Sequence, residues 1–291
     1  MSAESVLRRR LCLLWLLLLA TPTLHAQNTE QMTAIDPFRI VGNLYYVGSQ
    51  DLASYLIVTR QGDILINSNF EKSVPQIRHS VEQLGFKFTD IRILLISHSH
   101  SDHDAGSADI KRQTGARYLV MDGDVPVVES GGEQDFQYPT GRYPAAKVDK
   151  VLHDGDRVRL GDAVLVAHKT PGHTRGCTTW TLQIPDHGRT LNVVIVGSWN
   201  VNPGYRLADR AGQPASYPGI AADFQHTFAV LEHLPCDVFL GAHGAYFDML
   251  AKLARRSSDS DVDVWIDPKG YLERVHEREG AFKAELAKQS Q

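Results

Sequence analysis

The chain has 291 residues, 43% hydrophobic and 22% charged, an ordinary globular composition and long enough for one large α/β domain. The net charge is −4 and no long basic run occurs, which argues against nucleic acid as a partner. Three cysteines are too few for a fold that depends on disulfides.

In chain order, Arg8, Arg9 and Arg10 precede an apolar run from 11 to 20, and a short polar stretch then reaches Leu24-His25-Ala26. That order of basic, apolar and small residues reads as a secretory signal peptide over 1–26, leaving a mature domain over 27–291. The run is too short for a transmembrane helix, so no membrane contact is expected after cleavage, and Cys12 leaves with the peptide. Strand-like pieces follow at 40–47, 54–59 and 63–67. Residues 74–84 have helical spacing, with Ser73 as cap and Gly85 as stop. Residues 91–96 form a β-branched and leucine run that reads as a buried strand. Asp104 to Ser107 then turn into a helix over 108–114, with Ser107 as N-cap and Gly115 as its end. A strand at 117–121 and a helix over 124–130 come next. Residues 133–150, rich in Gly, Pro and Tyr, read as a long surface loop placed for substrate contacts. Strands recur at 150–152, 157–160, 163–168, 178–184 and 191–196. A helix at 224–234, a strand at 238–240 and a charged amphipathic helix over 269–290 complete the chain. The pattern implies two α/β halves packed together with helices outside.

Between the strand at 91–96 and the turn at 104–107 stands His98-Ser99-His100-Ser101-Asp102-His103. Four metal-ligand side chains in six residues are hard to explain as packing, because clustering them without a cation has a desolvation cost. Thr170-Pro171-Gly172-His173 follows an apolar strand, and its Pro-Gly turn aims His173 back across the strand ends. Gly241-Ala242-His243 follows the strand at 238–240 in the same way. Five histidines and one aspartate make six ligands. A catalytic zinc takes about three protein ligands and keeps one position open, so six fit two zincs. His226 and His233, on a predicted helix, are the next candidates. Cys177 and Cys236 remain in the mature domain, and the residues alone leave open whether they pair or stay as buried thiols.

His98-x-His100-x-Asp102-His103, then Pro171-Gly172-His173-Thr174, then Gly241-Ala242-His243 resemble the metallo-β-lactamase superfamily. The resemblance covers essentially the whole mature chain. It implies an αββα sandwich of two mixed sheets flanked by helices, with a dinuclear zinc site between the sheet edges. Glyoxalase II-like hydrolases and lactonases place a bridging Asp where Ser198 stands here, and other β-lactamase subclasses place a Cys. Ser198, Asn200 and the run Asn202-Pro203-Gly204-Tyr205 are similar to subclass B3. So are the stretches 172–180 and 234–238. The resemblance implies that His98, His100 and His173 bind the first Zn2+, and that Asp102, His103 and His243 bind the second. It implies Ser198, Asn200 and Tyr205 as substrate contacts, with Asp102 and Tyr205 in the chemistry. The alternative for Tyr205, which follows Pro-Gly, is a loop anchor. The implied activity is hydrolysis of the β-lactam amide bond of penicillins, cephalosporins and carbapenems by a monomeric periplasmic enzyme that confers antibiotic resistance. The alternative is a lactonase or thioesterase on the same site, against which Ser198 argues. Members of the subclass pair a cysteine at the Cys236 position with one in the C-terminal region, or one at the Cys177 position with one just before the Ser198 position. Here the C-terminal region has no Cys and Gly197 fills the other place, so the resemblance implies two free thiols.

Overall fold

The near-continuous apolar strands of the first half pair into a seven-stranded sheet, in sequence order. The strands are β1 (Phe38–Val41), β2 (Leu44–Tyr46), β3 (Tyr55–Thr59), β4 (Gly62–Ile66), β5 (Ile91–Leu95), β6 (Arg117–Met121) and β7 (Lys150–Leu152). Pairing is antiparallel as far as β4 and parallel from β4 to β7. The second half forms a five-stranded sheet from β8 (Arg157–Leu160), β9 (Ala163–Lys169), β10 (Thr178–Asp186), β11 (Arg189–Val196) and β12 (Val238–Gly241). Its order is β12-β11-β10-β9-β8, with only β11 and β12 parallel. These are coordinates of a computed structural model, which describes residues 32–258 and 261–291; residues 1–26, read above as a signal peptide, and Cys12 among them lie outside the described residues. No described helix is long and apolar enough to cross a membrane.

Successive strand side chains point to opposite faces, and here both faces are buried. In β4 and β5, Ile64, Ile66, Ile93 and Leu95 join the core shared with the second sheet. Leu65 and Leu94 face the other way and join a second cluster with Ile77, Val81 and Ile110 of helices α1 (Val74–Gln83) and, beyond α2 (Ser101–Asp104), α3 (Ser107–Thr114). After the short α4 (Val125–Glu129) come α5 (Ile220–His233), α6 (Met249–Arg255) and the long α7 (Pro268–Gln289). Phe224 and Phe228 of α5 stack on Phe282 of α7, at 5.3 and 5.7 Å between ring centroids. The layers are therefore helix, sheet, sheet, helix, as expected.

Some local expectations are corrected. The strand expected over 40–47 is a hairpin. Gly42, at φ +51°, turns β1 into β2, where a Cβ would meet Ile184 Cγ2 at 2.5 Å. Ser73 makes no side-chain cap bond to α1. Ser107 lies inside α3, with Gly106 before it, and its Oγ sits 2.9 Å from Ser68 Oγ. Helix α6 is new, and it starts from Asp248 at φ +53°.

The two sheets are stitched at one edge. Thr178 N donates to Ser97 O (2.7 Å), Trp180 Nε1 to Ile96 O (3.1 Å), Tyr55 Oη to Gly241 O (2.7 Å) and Ala53 N to Ala242 O (3.0 Å). The loops after β5, β9, β11 and β12 all leave from this edge.

Candidate metal centre

The run at 98–103 begins in the loop after β5 and continues into α2. Its backbone is fixed from outside. Ser97 N donates to Asn67 Oδ1 (2.7 Å), and Ser68 N and Asn69 N both donate to His103 O (3.1 and 3.2 Å). Asn67 and Asn69 adopt φ of +67° and +56°, which Asn tolerates better than most residues. Asp124, 1% exposed, joins this loop to the next. It accepts from Ser99 N (2.9 Å), Thr174 Oγ1 (2.8 Å) and Gly176 N (2.8 Å). Burial pushes its carboxyl up to about 6, against the pull of those three donors.

His173 follows Gly172, whose φ of +122° and missing Cβ let the turn pass the Phe224 ring. Its Nδ1 meets Asn200 O at 2.8 Å, which leaves Nε2 for the site. His243 follows β12, with Nδ1 2.9 Å from Asp51 Oδ2. Asp51 Oδ1 accepts from Ala245 N at 2.9 Å, so this carboxylate is itself held.

The structure brings all six predicted ligands together. Ligand atoms of His98, His100 and His173 lie within 4.8 Å of one another. Asp102 Oδ2, His103 Nε2 and His243 Nε2 form a triangle with sides of 3.3, 3.1 and 3.6 Å. Tetrahedral ligands about 2.0–2.1 Å from one ion stand roughly 3.3–3.4 Å apart. The second triangle therefore already has the spacing of a coordination shell. His98 Nε2 and His100 Nε2 are buried without a hydrogen-bond partner, a cost that a bound cation relieves. An imidazole-rich set with one carboxylate suits zinc rather than calcium or magnesium. The residues present fit a metal centre.

Electrostatics agree with that fit. Burial and neighbouring rings push His98, His173 and His103 below the ordinary imidazole range, and burial brings His100 down to about 4. Neutral rings are the form that offers lone pairs to a metal. His243 goes the other way: burial lowers it, but Asp51 and Asp102 raise it more. Burial would raise Asp102; His103 and His243 instead hold it far below the usual carboxylate range.

A cavity of about 340 Å³ opens above these groups, lined by His100, Asp102, His173, His243, Asn200 and Tyr246 and by Asp135, Tyr138 and Tyr143 of the 133–146 loop. Asn200 is among the residues that line this cavity. Ser198 does not line the cavity: it is 1% exposed, with Oγ 3.0 Å from Tyr246 Oη. Tyr205 is a second correction. Its ring is 2% exposed and its hydroxyl donates to His173 O at 2.7 Å, so it anchors the ligand loop instead of facing the cavity. His226 and His233 are exposed on α5, away from the site. Sequence reasoning missed Asp51, Asp124 and Tyr246, whose partners lie far along the chain.

The sequence profile of the Metallo-beta-lactamase superfamily matches residues 52–243, which hold every ligand named above. Among solved structures, the native FEZ-1 metallo-beta-lactamase from Legionella gormanii is 52% identical, covering 89% of this chain and 98% of that one, with a TM-score of 0.83. The class B3 di-zinc metallo-beta-lactamase LRA-12 from an Alaskan soil metagenome is 33% identical, covering 89% and 97%, with a TM-score of 0.81. Among curated proteins, a probable hydroxyacylglutathione hydrolase of Schizosaccharomyces pombe is 25% identical, covering 77% of this chain and 76% of its own length. The hydroxyacylglutathione hydrolase of Methylobacterium sp. matches over 31% of its length, so similarity to that relative is confined to about a third of it.

Proposed function

The chain belongs to the metallo-β-lactamase superfamily, and from that premise we propose that it is a zinc-dependent hydrolase of the β-lactam amide bond, of the subclass B3 kind. The observation that carries the reading is Ser198. Where a bridging carboxylate or thiolate would stand, this chain has a buried hydroxyl turned to Tyr246, so position 198 adds no ligand to the six residues of the site. Likeness to FEZ-1 over nearly its whole length supports the same reading. Antibiotic resistance, periplasmic export through residues 1–26 and a monomeric enzyme with two Zn2+ per chain belong to it.

Hydrolysis adds water across the C–N bond: hydroxyl goes to the carbonyl carbon and a proton to the ring nitrogen. Bound zinc supplies a Lewis acid that polarises the carbonyl and lowers the pKa of water. Asp102, kept ionised by His103 and His243, orients the water from its place among the ligands. Asn200 and Asn202, on one wall of the cavity, present neutral amides to the substrate carboxylate. Tyr138, Tyr143 and Phe70 add aromatic lining against the ring substituents, and Tyr138 Oη accepts from Asn202 Nδ2 at 3.1 Å.

The test is a side-by-side assay of zinc-loaded mature protein on imipenem, an acyl-homoserine lactone and S-lactoylglutathione. Imipenem is expected to be hydrolysed, with turnover lost to EDTA and reduced about a thousandfold in Asp102→Ala. Turnover of the lactone or thioester with imipenem untouched overturns the proposal, as does imipenem turnover retained in Asp102→Ala.

A further inference from the structure

We propose that the chain carries a second ligand site, behind the 199–206 loop, for a small organic anion with an apolar body. The inference does not rest on the β-lactam reading.

A cavity of about 730 Å³ lies between this loop and α7, larger than the cavity over the metal ligands. None of the six metal ligands lines it, and of its lining only Asn200 and Asn202 are shared with the metal cavity. The loop is thus a wall between two chambers. The chemistry of the second is different. Trp199 and Phe282, buried side chains, give it an apolar floor. Arg206, Arg278 and Lys288 line it with three cations against a single carboxylate, Glu285, so positive charge is in excess. Glu285 is already paired with Lys288 at 3.2 Å.

Arg278, whose side chain is 38% exposed, brings its guanidinium to this lining. Arg278 reaches Glu277 only at 3.8 Å, which leaves most of its guanidinium edge available. A guanidinium pairs two N–H donors with two oxygens of one anion, as a carboxylate or a sulfonate offers them. The size and the aromatic floor select against a bare inorganic ion, because cavities of about 300–1,000 Å³ with apolar walls suit drug-sized molecules. An aromatic carboxylate or sulfonate meets both demands.

The probe is 8-anilinonaphthalene-1-sulfonate, titrated by fluorescence into zinc-loaded mature protein, with near-UV circular dichroism showing that each variant is folded. Saturable binding at one site is expected. Arg278→Gln should weaken it about tenfold, the loss of one charge-assisted contact. Ala281→Trp, at an exposed helix position in the lining, should fill the cavity and abolish binding. Lys288→Gln gives an independent weakening at the exposed helix end. His243→Ala, in the other chamber, should bind within about twofold of the wild type, a difference too small to reflect a lost contact. Wild-type affinity in either Arg278→Gln or Ala281→Trp overturns the proposal. So does loss of binding in His243→Ala, which would put the probe over the metal ligands.

Discussion

Asp51 sets the ring orientation of His243 and, with Asp102, raises its pKa against burial. One carboxylate oxygen holds Nδ1 at 2.9 Å, the other is pinned by Ala245 N, and Nε2 is left to the Asp102–His103 triangle. Removing the charge keeps the shape but weakens the hold. Asp51→Asn should therefore lower zinc affinity roughly 10–100-fold, read by competition with a chromophoric chelator. Affinity equal to the wild type would mean that Asp51 does not orient the ring. The ligands themselves were legible because dense donors at strand ends are a local signal. Asp51 was not, because it acts on a residue 192 positions away and sits in an unremarkable turn. Tyr246 hides for a similar reason: its hydroxyl meets Ser198 and Asn200, 48 and 46 positions earlier. Tyr205 shows the opposite failure. Its motif pointed to the substrate, but its hydroxyl bonds His173 O, a contact that only the fold reveals.

The β9–β10 connection is the element on which the first triad depends. Gly172 N donates to Thr174 O at 2.9 Å, and a Cβ on Gly172 would stand 2.7–2.9 Å from three atoms of the Phe224 ring. Because φ is also positive, Gly172→Ala meets strain and overpacking together. It should cost about 2 kcal/mol or more and loosen the His173 ligand, seen as a lower Tm and weaker zinc binding. An unchanged Tm would show that α5 yields to the turn. Strand periodicity recovered most of the elements, because β4, β5 and the end of β11 are apolar runs buried on both faces, while β10 alternates buried and open positions along its second half. It failed where length was short. The β1–β2 hairpin turns on one glycine inside an apolar run, and the seven-residue α6 starts from a left-handed aspartate that no propensity rule anticipates.

Across the whole molecule, the second sheet closes on the first at the edge that carries the ligands, and the two cysteines lie apart in that second half. Both are free among the described residues. Cys177 is fully buried with Sγ 3.7 Å from Ser198 O, and burial pushes both thiols upward. The mature protein should therefore react slowly with a thiol reagent when folded and give two thiols per chain when unfolded without reductant. Zero thiols in the unfolded chain would mean that they pair. The same architecture separates what must stay fixed from what is free to change. His173 is oriented by the main-chain carbonyl of Asn200, whereas the amide of that residue faces the cavity. Any amino acid at position 200 brings the same carbonyl. Point substitutions there let a lineage retune which molecules enter while inheriting its metal scaffold intact, an evolutionary freedom written into the backbone.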